Sequence, residues 1–340
     1  MLAHRADHAR RSAAGTLTGA SSSSTAPRSR HVVHPVGVRD LPIKLGLNLP
    51  YVEGSMDGRT PHWSDILAMA QMAEAIGFDA LWVSDHVGFG DPDGEWSGAW
   101  ESWTLLSALA ATTERVHLGT YVLAMPLRNP ALLAKMAETL DEISGGRVIL
   151  GVGAGWNDPE FASYGVPFDR RFTRFEDGLR IISAMLRDGR STHDGRLIQS
   201  KSARLAPRGP RPQGLPLMVG ATGPRMLRLT AELADHWNGG LRSVDEVPAL
   251  LAAVAAACVE VGRDPATLTQ SVEVLVRTSA ARDDAPSDER EIRGTPADVA
   301  LALTRFGDLG IDHLQVQLRP NSIEGVAAFA RVLDILLDER

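Results

Sequence analysis

Cysteine pairs, metal-ligand spacings and long apolar runs are all missing from this chain of 340 residues. Cys258 is the one cysteine, which excludes an intrachain disulfide and a cysteine-based metal cluster. No run of about 18 apolar residues occurs, so a soluble protein in the reducing cytoplasm is expected, without membrane partners. The ten histidines are scattered, and no predicted helix carries a metal-ligand spacing, so no metal site is predicted.

The first 40 residues differ in composition from the rest of the chain. They contain six Arg, no Lys and two Asp, together with the polar tract Ser21–Thr25. This segment, residues 1–40, is predicted to be disordered, and a transit peptide or an over-extended gene start are the alternatives. Residues 41–340 then hold 29 basic against 40 acidic residues, which disfavours nonspecific binding to nucleic acid.

From residue 41 onward, short apolar strands alternate with amphipathic helices. This alternation is typical of βα units and a parallel sheet. Eight such units fit an α/β fold of the (β/α)₈ TIM-barrel type over residues 41–340. The predicted strands are Lys44–Leu49, Ala80–Ser84, Val116–Leu123, Arg147–Val152, Leu215–Gly220, His236–Asn238, Ser271–Thr278 and His313–Leu318.

One basic segment, Gly189–Gly214, interrupts the alternation and is predicted to be an insertion between the fourth helix and the fifth strand. It holds six basic residues and a single acidic one, Asp194, within an acidic protein. A solvated loop and a binding surface for an anionic tail are both consistent with this composition.

A glycine-rich turn follows the fourth predicted strand, in the run Arg147–Trp156. Gly151, Gly153 and Gly155 allow the backbone to approach a flat, bulky ligand closely. The dinucleotide fingerprint G-x-G-x-x-G is not met, because Trp156 stands where its third glycine or alanine is required. A Rossmann site is therefore not predicted.

Candidate site residues follow the predicted strands, whose C-terminal ends carry the active site in a barrel of this type. The second strand ends at Asp85 and His86, and a histidine at that rim can exchange a proton near neutral pH. The fifth strand leads to Thr222 and Gly223 at a helix start, which either caps the helix or binds a phosphate group. Because no metal site is predicted, the glycine-rich turn, the Asp-His pair and the helix start together suit a bound flavin-like ring that supplies the redox chemistry.

Three segments resemble one known family when they are taken together: LWVSDHV at Leu81–Val87, the stretch Leu118–Leu179, and PLMVGATGPRMLRLTAELADHWNGG at Pro216–Gly240. They are similar to the bacterial luciferase-like family, and most closely to its deazaflavin-dependent branch, which uses coenzyme F420. The resemblance implies a TIM barrel with an insertion before strand five, a homodimer, and a deazaflavin bound at the C-terminal rim.

The resemblance also implies roles for individual residues. His86 matches the acid–base residue, and Asp85 beside it matches a contact to the cofactor ring. Tyr121 and Val122 match a pair joined by a non-proline cis peptide, which forms a bulge behind the ring. The other implied cofactor contacts are Ala154, Gly155 and Asn157 along the cofactor, and Thr222, Gly223, Arg225 and Met226 at its phosphate end.

Two departures from the sugar-phosphate dehydrogenase subgroup concern the substrate. Trp156 stands where that subgroup has an acidic residue, and the tryptophan that follows the subgroup's Asp-His motif is missing here. Both departures argue against glucose 6-phosphate as the substrate. Trp156 is predicted to pack over the ring or to line an apolar substrate pocket.

Three functions are consistent with these features of the sequence. The leading hypothesis is an F420-dependent oxidoreductase that transfers a hydride between the cofactor and a small organic substrate. The second is an FMN-dependent luciferase-like monooxygenase that works with a partner flavin reductase. The third is a non-catalytic barrel that binds a cofactor.

Overall fold

Eight parallel strands close into a barrel in this computed structural model, which describes residues 43–91, 94–282 and 288–338. Around the barrel the strands follow the order β1, β12, β11, β10, β9, β6, β5, β2. These eight are β1 (Lys44–Asn48), β2 (Ala80–Asp85), β5 (His117–Ala124), β6 (Val148–Gly153), β9 (Leu217–Gly220), β10 (His236–Leu241), β11 (Thr269–Arg277) and β12 (His313–Arg319). The predicted TIM barrel is confirmed, with each strand within a few residues of its predicted bounds.

Helices surround the barrel, where they pack against the strands and against neighbouring helices. Their apolar sides are buried, whereas strands such as β6 are buried at every position, as expected for a covered parallel sheet. The α-helices are α1 (Trp63–Ile76), α2 (Ser102–Thr112), α3 (Pro130–Ser144), α4 (Asp158–Ser163), α5 (Arg171–Asp188), α6 (Pro224–Leu233), α7 (Val247–Glu260), α8 (Pro296–Asp308) and α9 (Ile323–Asp338). Short 3₁₀ helices span Met125–Leu127, Val244–Glu246 and Pro265–Thr267.

In the interior of the barrel, the Trp82 side chain packs in a cluster with Ile149 and Met218. A Cβ atom on either Gly46 or Gly119 would lie 2.1 Å from the Trp82 indole, so both neighbouring strands need glycine there. The Trp82 Nε1–H group points at His313 Nε2, 3.4 Å away. Beyond this packed layer, a cavity opens at the C-terminal ends of the strands.

The basic insertion forms a hairpin of β7 (Arg190–Asp194) and β8 (Gln199–Arg204). It follows α5, which begins at the C-terminal rim and whose 18 residues carry the chain about 27 Å toward the other end of the barrel. The segment then pairs with acids of α3: Arg208 Nε lies 3.0 Å from Glu138 Oε1, and Arg211 Nε lies 2.8 Å from Asp141 Oδ2. Arg208 and Arg211 are thus paired within the protein, whereas the turn of the hairpin lies against Asp177 in the first half of α5, whose carboxylate accepts the Leu197 and Ile198 backbone N–H groups. A role of this insertion in holding an anionic tail stays a prediction.

A second hairpin, β3 (Gly88–Gly90) with β4 (Trp96–Gly98), follows β2 and was not predicted. Trp96 packs directly over Gly88, where a Cβ atom would lie 2.1 Å from the indole. The predicted disorder of residues 1–40, and the domain boundary at residue 41, fall outside the described residues. No helix within the described part of the chain is long and apolar enough to span a membrane.

Candidate active site

A cavity of about 820 Å³ opens at the C-terminal ends of the barrel strands. It is lined by the ends of β2, β5, β6, β9 and β10 and by the N-terminal residues of α5 and α6. Asn157 and Arg225 lie close by without lining it. The structure brings these sequence-predicted residues together in its wall: Asp85, His86, Tyr121, Val122, Ala154, Gly155, Trp156, Thr222, Gly223 and Met226.

His86 is paired with a carboxylate that sequence analysis missed. Its Nδ1 lies 3.1 Å from Oε2 of Glu160, whose side chain is fully buried in α4. The other Glu160 oxygen accepts the backbone N–H of Val87. The position of Glu160, on a helix start directly after the glycine turn of β6, is the signal that points to the same rim.

Two aromatic rings stand against the His86 imidazole. The ring centroids of Phe89 and Trp156 lie 4.5 Å and 5.3 Å from that of His86. Trp156 is 66% exposed, so a large apolar surface is left facing the cavity and the solvent. Such a surface favours contact with an apolar or aromatic group of a ligand.

The Asp85 carboxylate is 2% exposed and is held by Arg128. Arg128 Nη1 and Nη2 lie 2.6 and 2.9 Å from its two oxygens, and Ser102 Oγ and the Ala124 backbone N–H also donate to it. Each Asp85 oxygen thus accepts two hydrogen bonds from the protein itself. Asp85 therefore fixes the end of β2 against the end of β5.

The floor of the cavity is the bulge of β5 at Tyr121 and Val122. The peptide bond between these two residues is cis, as the resemblance implied, and the pairing register of β5 shifts on both sides. A Cβ atom on Gly153 or Gly220 would lie 2.8 or 3.0 Å from Cγ2 of Val122. These glycines leave the room that Val122 occupies.

Beneath the floor, Tyr121 is held by Glu273, a half-buried acid of β11. The Tyr121 hydroxyl donates to Glu273 Oε2 at 2.9 Å, and Asn48 Nδ2 donates to Oε1 at 3.0 Å. Burial raises the pKa of Glu273, although both hydrogen bonds act in the opposite direction. Burial and the neighbouring Glu273 carboxylate also raise the pKa of Tyr121 well above its ordinary value. Tyr121 therefore stays a neutral hydrogen-bond donor.

Three arginines that sequence analysis missed, Arg170, Arg171 and Arg242, line the cavity. Arg170 pairs with Asp169 at 3.0 Å, and the Arg171 guanidinium lies 4.3 Å from the ring centroid of Phe168. Within the described ranges, no ion pair joins Arg171 or Arg242 to a carboxylate. Their positive charge is thus available to an anionic ligand.

The start of α6 closes the same side of the cavity. Its N-cap is Gly223, which has no side chain to satisfy the first backbone N–H groups, and Pro224 follows. The nearby Arg225 guanidinium stacks on the Phe172 ring at 4.0 Å from the centroid. A helix start of this kind favours an anion such as phosphate. Across residues 43–91, 94–282 and 288–338, no group of three His, Cys, Asp or Glu side chains is arranged to hold a metal ion.

Known proteins resemble this chain in sequence and in fold. A model of the luciferase-like monooxygenase family matches residues 43–328. An F420-dependent glucose-6-phosphate dehydrogenase of Beutenbergia cavernae is 34% identical over 254 residues, covering 73% of this chain and 72% of that protein. A phthiodiolone/phenolphthiodiolone dimycocerosates ketoreductase of Mycobacterium bovis is 33% identical over 270 residues, covering 70% and 68%.

Solved structures share the barrel at lower sequence identity. An F420-dependent secondary alcohol dehydrogenase, in complex with an F420–acetone adduct, superposes with a TM-score of 0.72 at 18% identity. The match covers 86% of this chain and 99% of that one. At this identity the likeness concerns the fold.

Proposed function

This chain belongs to the luciferase-like monooxygenase family, and we propose that it is an oxidoreductase that depends on coenzyme F420. It transfers a hydride between that coenzyme and a small organic substrate. The proposal is supported by the F420 dependence named for the Beutenbergia cavernae dehydrogenase, which shares 34% identity with this chain. The substrate of that relative is not carried over, because Trp156 presents an apolar surface in this cavity.

The cavity fits such a coenzyme in both shape and charge. Val122, seated in the space left by Gly153 and Gly220, offers a backing for a flat ring. Arg170, Arg171 and the start of α6 offer a cationic end for a phosphate-containing tail. Residues proposed to hold the coenzyme are Asp85 (through its fixing of the strand ends), Tyr121, Val122, Ala154, Gly155, Asn157, Thr222, Gly223, Arg225 and Met226.

The chain's own residues supply the proton and the surroundings for the reaction. When bound, the deazaflavin provides or accepts the hydride. His86 gives a proton to the substrate, or takes one from it, at Nε2, because its Nδ1 is occupied by Glu160. Phe89 and Trp156 form an apolar wall beside His86, against which the substrate packs.

The observation that carries the proposal is that one cavity joins His86 to Arg171 and Arg242, neither of which forms an ion pair with a carboxylate in the part of the chain that the structure describes. His86 lies where the cofactor ring and the substrate would react, and the arginines lie where the phosphate-containing tail would bind. The preference for F420 is supported by the named relatives.

A fluorescence titration tests the cofactor directly. Purified protein is titrated with oxidised F420 and, in parallel, with FMN at several salt concentrations. We expect micromolar or tighter binding of F420 and weaker binding of FMN. The reverse preference would identify an FMN-dependent monooxygenase, and binding of neither cofactor would overturn the proposal.

Turnover separates an enzyme from a non-catalytic barrel. Reduction of carbonyl acceptors by reduced F420 is followed for the wild-type protein and for His86→Ala. We expect His86→Ala to bind F420 as the wild type does and to lose turnover. A wild-type protein that binds F420 and reduces no acceptor in the screen would support a binding protein.

We also propose a cytoplasmic homodimer. The dimer is supported by the exposed apolar side chains Leu132 and Ile143 on α3, which are 58% and 53% exposed. The location is supported by Cys258, which is buried and free. Light scattering should give twice the chain mass of 36.5 kDa, and a mass of one chain would contradict the dimer.

A further inference from the structure

The short helix α4 delivers a fully buried carboxylate to the active-site histidine. Asn157, just before the helix, donates through Nδ2 to the Gly88 carbonyl at 3.0 Å. Phe161 packs against Gly155, where a Cβ atom would lie 2.5 Å from the ring. These two contacts hold α4 between the glycine turn of β6 and the chain that leaves β2. Glu160 lies between them and is fully buried.

Both oxygens of Glu160 are hydrogen-bond acceptors in this arrangement. One accepts the Val87 backbone N–H, and the other lies 3.1 Å from His86 Nδ1. A carboxylate can only accept, so the hydrogen of a neutral His86 imidazole must sit on Nδ1. Nε2 is then the nitrogen that exchanges protons with a ligand in the cavity.

We infer that Glu160 is a positioning residue that fixes the tautomer and orientation of His86, an inference that rests on the proposed function. Its negative charge also stabilises the imidazolium that forms whenever His86 takes a proton. In the reducing direction, a carbonyl carbon gains the hydride, its oxygen gains the proton from Nε2, and water restores that proton. In the oxidising direction, Nε2 takes the proton of the alcohol while its carbon loses the hydride.

Other charged or titratable groups surround His86, and none of them takes the place of Glu160. Asp85, next in sequence, is neutralised by Arg128. Tyr51 packs beside Ser84 and the His86 backbone, and burial raises its pKa, so it stays neutral. The arginines of the cavity wall (Arg170, Arg171 and Arg242) share the cavity with His86. Their positive charge disfavours the imidazolium that Glu160 supports.

Glu160→Gln tests the inference because it keeps the shape and changes the hydrogen bonding. Its amide oxygen is needed by the Val87 N–H, so its NH₂ group faces His86 Nδ1 and donates to it. The imidazole hydrogen is then forced onto Nε2. We expect ¹⁵N NMR of histidine-labelled protein, with His86 assigned from His86→Gln, to show this change of tautomer. The same spectra recorded across pH follow the protonation of the His86 ring.

Activity gives a second readout that a purely structural role would not move. In Glu160→Gln, the limb of the kcat/KM profile that reports His86 should move to lower pH, and kcat should fall about tenfold or more. F420 affinity should stay at the wild-type value. Combined with His86→Gln, the Glu160→Gln change should have little further effect, since Glu160 acts through His86.

Asp177→Asn provides a matched control at a second histidine–carboxylate pair, in which His193 Nε2 on β7 lies 3.2 Å from Asp177 Oδ1 on α5. It should leave the His86 titration and the pH profile unchanged.

An unchanged His86 tautomer and titration in Glu160→Gln would overturn the inference even if F420 turnover is intact. Conversely, a changed tautomer in a protein that does not bind F420 would defeat the proposed function and leave the pairing standing. Should Glu160→Gln fold poorly, Glu160→Asp, which keeps the charge, should retain the Nδ1–H tautomer.

Discussion

Arg128 forms two hydrogen bonds to the Asp85 carboxylate, of 2.6 Å through Nη1 and 2.9 Å through Nη2. Arg128 also contacts Glu101, the N-cap of α2, at 2.6 Å. Asp85 ends β2 and Arg128 follows the 3₁₀ turn after β5, so this ion pair ties together the two strands that carry His86 and the cis peptide. It is a structural support for the site, built from an arginine that does not line the cavity.

Replacement of Arg128 should therefore destabilise the fold. Arg128→Met leaves the Asp85 carboxylate, 2% exposed, without its cation. Loss of one partner of a buried ion pair costs about 3–5 kcal/mol. Urea unfolding should show this loss. In contrast, Arg228→Met, which removes the exposed pair of Arg228 with Glu260, should cost no more than about 1 kcal/mol. Equal small losses in both variants would contradict the structural role of the Arg128 pair.

Two histidines at the N-terminal ends of barrel strands should make stability depend on pH. Burial lowers the pKa of His313 to about 3 and that of His236 to about 4. Below about pH 6.5 the unfolded chain binds protons at these residues and the folded chain does not, so stability falls as the pH falls from about 6.5 toward 4. Each histidine contributes a slope of about 1.4 kcal/mol per pH unit in that range.

Unfolding by urea between pH 8 and pH 5 measures this slope. His313→Gln removes one titrating group, so the slope of unfolding free energy against pH should fall by about 1.4 kcal/mol per pH unit. Its amide can still meet the Trp82 Nε1–H group, so the variant should fold. A slope that is the same in His313→Gln and in the wild type would show that His313 is not the group responsible.

The barrel strands could be predicted because their signal is local. Each is a short apolar run, and a covered parallel strand needs nothing else from its sequence. The β3–β4 hairpin was missed because it consists of short segments such as Gly88–Gly90, in which glycine and one aromatic residue alternate without an apolar run. Residues that directly follow strands, such as His86 and Thr222, could be placed at the rim because all parallel strands end on the same side.

The remaining site residues depend on tertiary packing that no local pattern contains. Glu160 and Arg170 come from helix starts, and their directions are set by neighbouring elements. Arg242 was missed because β10 continues to Leu241, beyond its predicted end at Asn238. The charge of the basic insertion gave no indication of which end of the barrel it would occupy. Its position is decided by α5, along which the β7–β8 hairpin folds back as far as Asp177.

The floor of the cavity should not tolerate a side chain at position 153. Gly153→Ala places a Cβ atom 2.8 Å from Val122 Cγ2, so the bulge at Tyr121 and Val122 must shift. Overpacking of this kind costs about 1–3 kcal/mol of stability, and F420 binding should weaken because the backing of the ring moves. Gly307→Ala, inside α8, where the added Cβ would meet Ile43 only at the ordinary distance of 3.6 Å, should not lower the unfolding free energy. Urea unfolding and F420 titration check both variants, and wild-type stability in Gly153→Ala would contradict the assigned packing.

The cationic end of the cavity should govern both the affinity for F420 and its dependence on salt. Arg171→Gln removes a guanidinium that lines the cavity and has no carboxylate partner within the described residues. A hydrogen bond to a charged group is worth about 1.5–3 kcal/mol, so the affinity should fall about tenfold or more at low salt, with a smaller loss at high salt. Arg204→Gln, on exposed β8 of the basic insertion, is the matched control and should bind as the wild type does. If Arg204→Gln weakened binding and Arg171→Gln did not, the anionic tail would lie on the insertion after all.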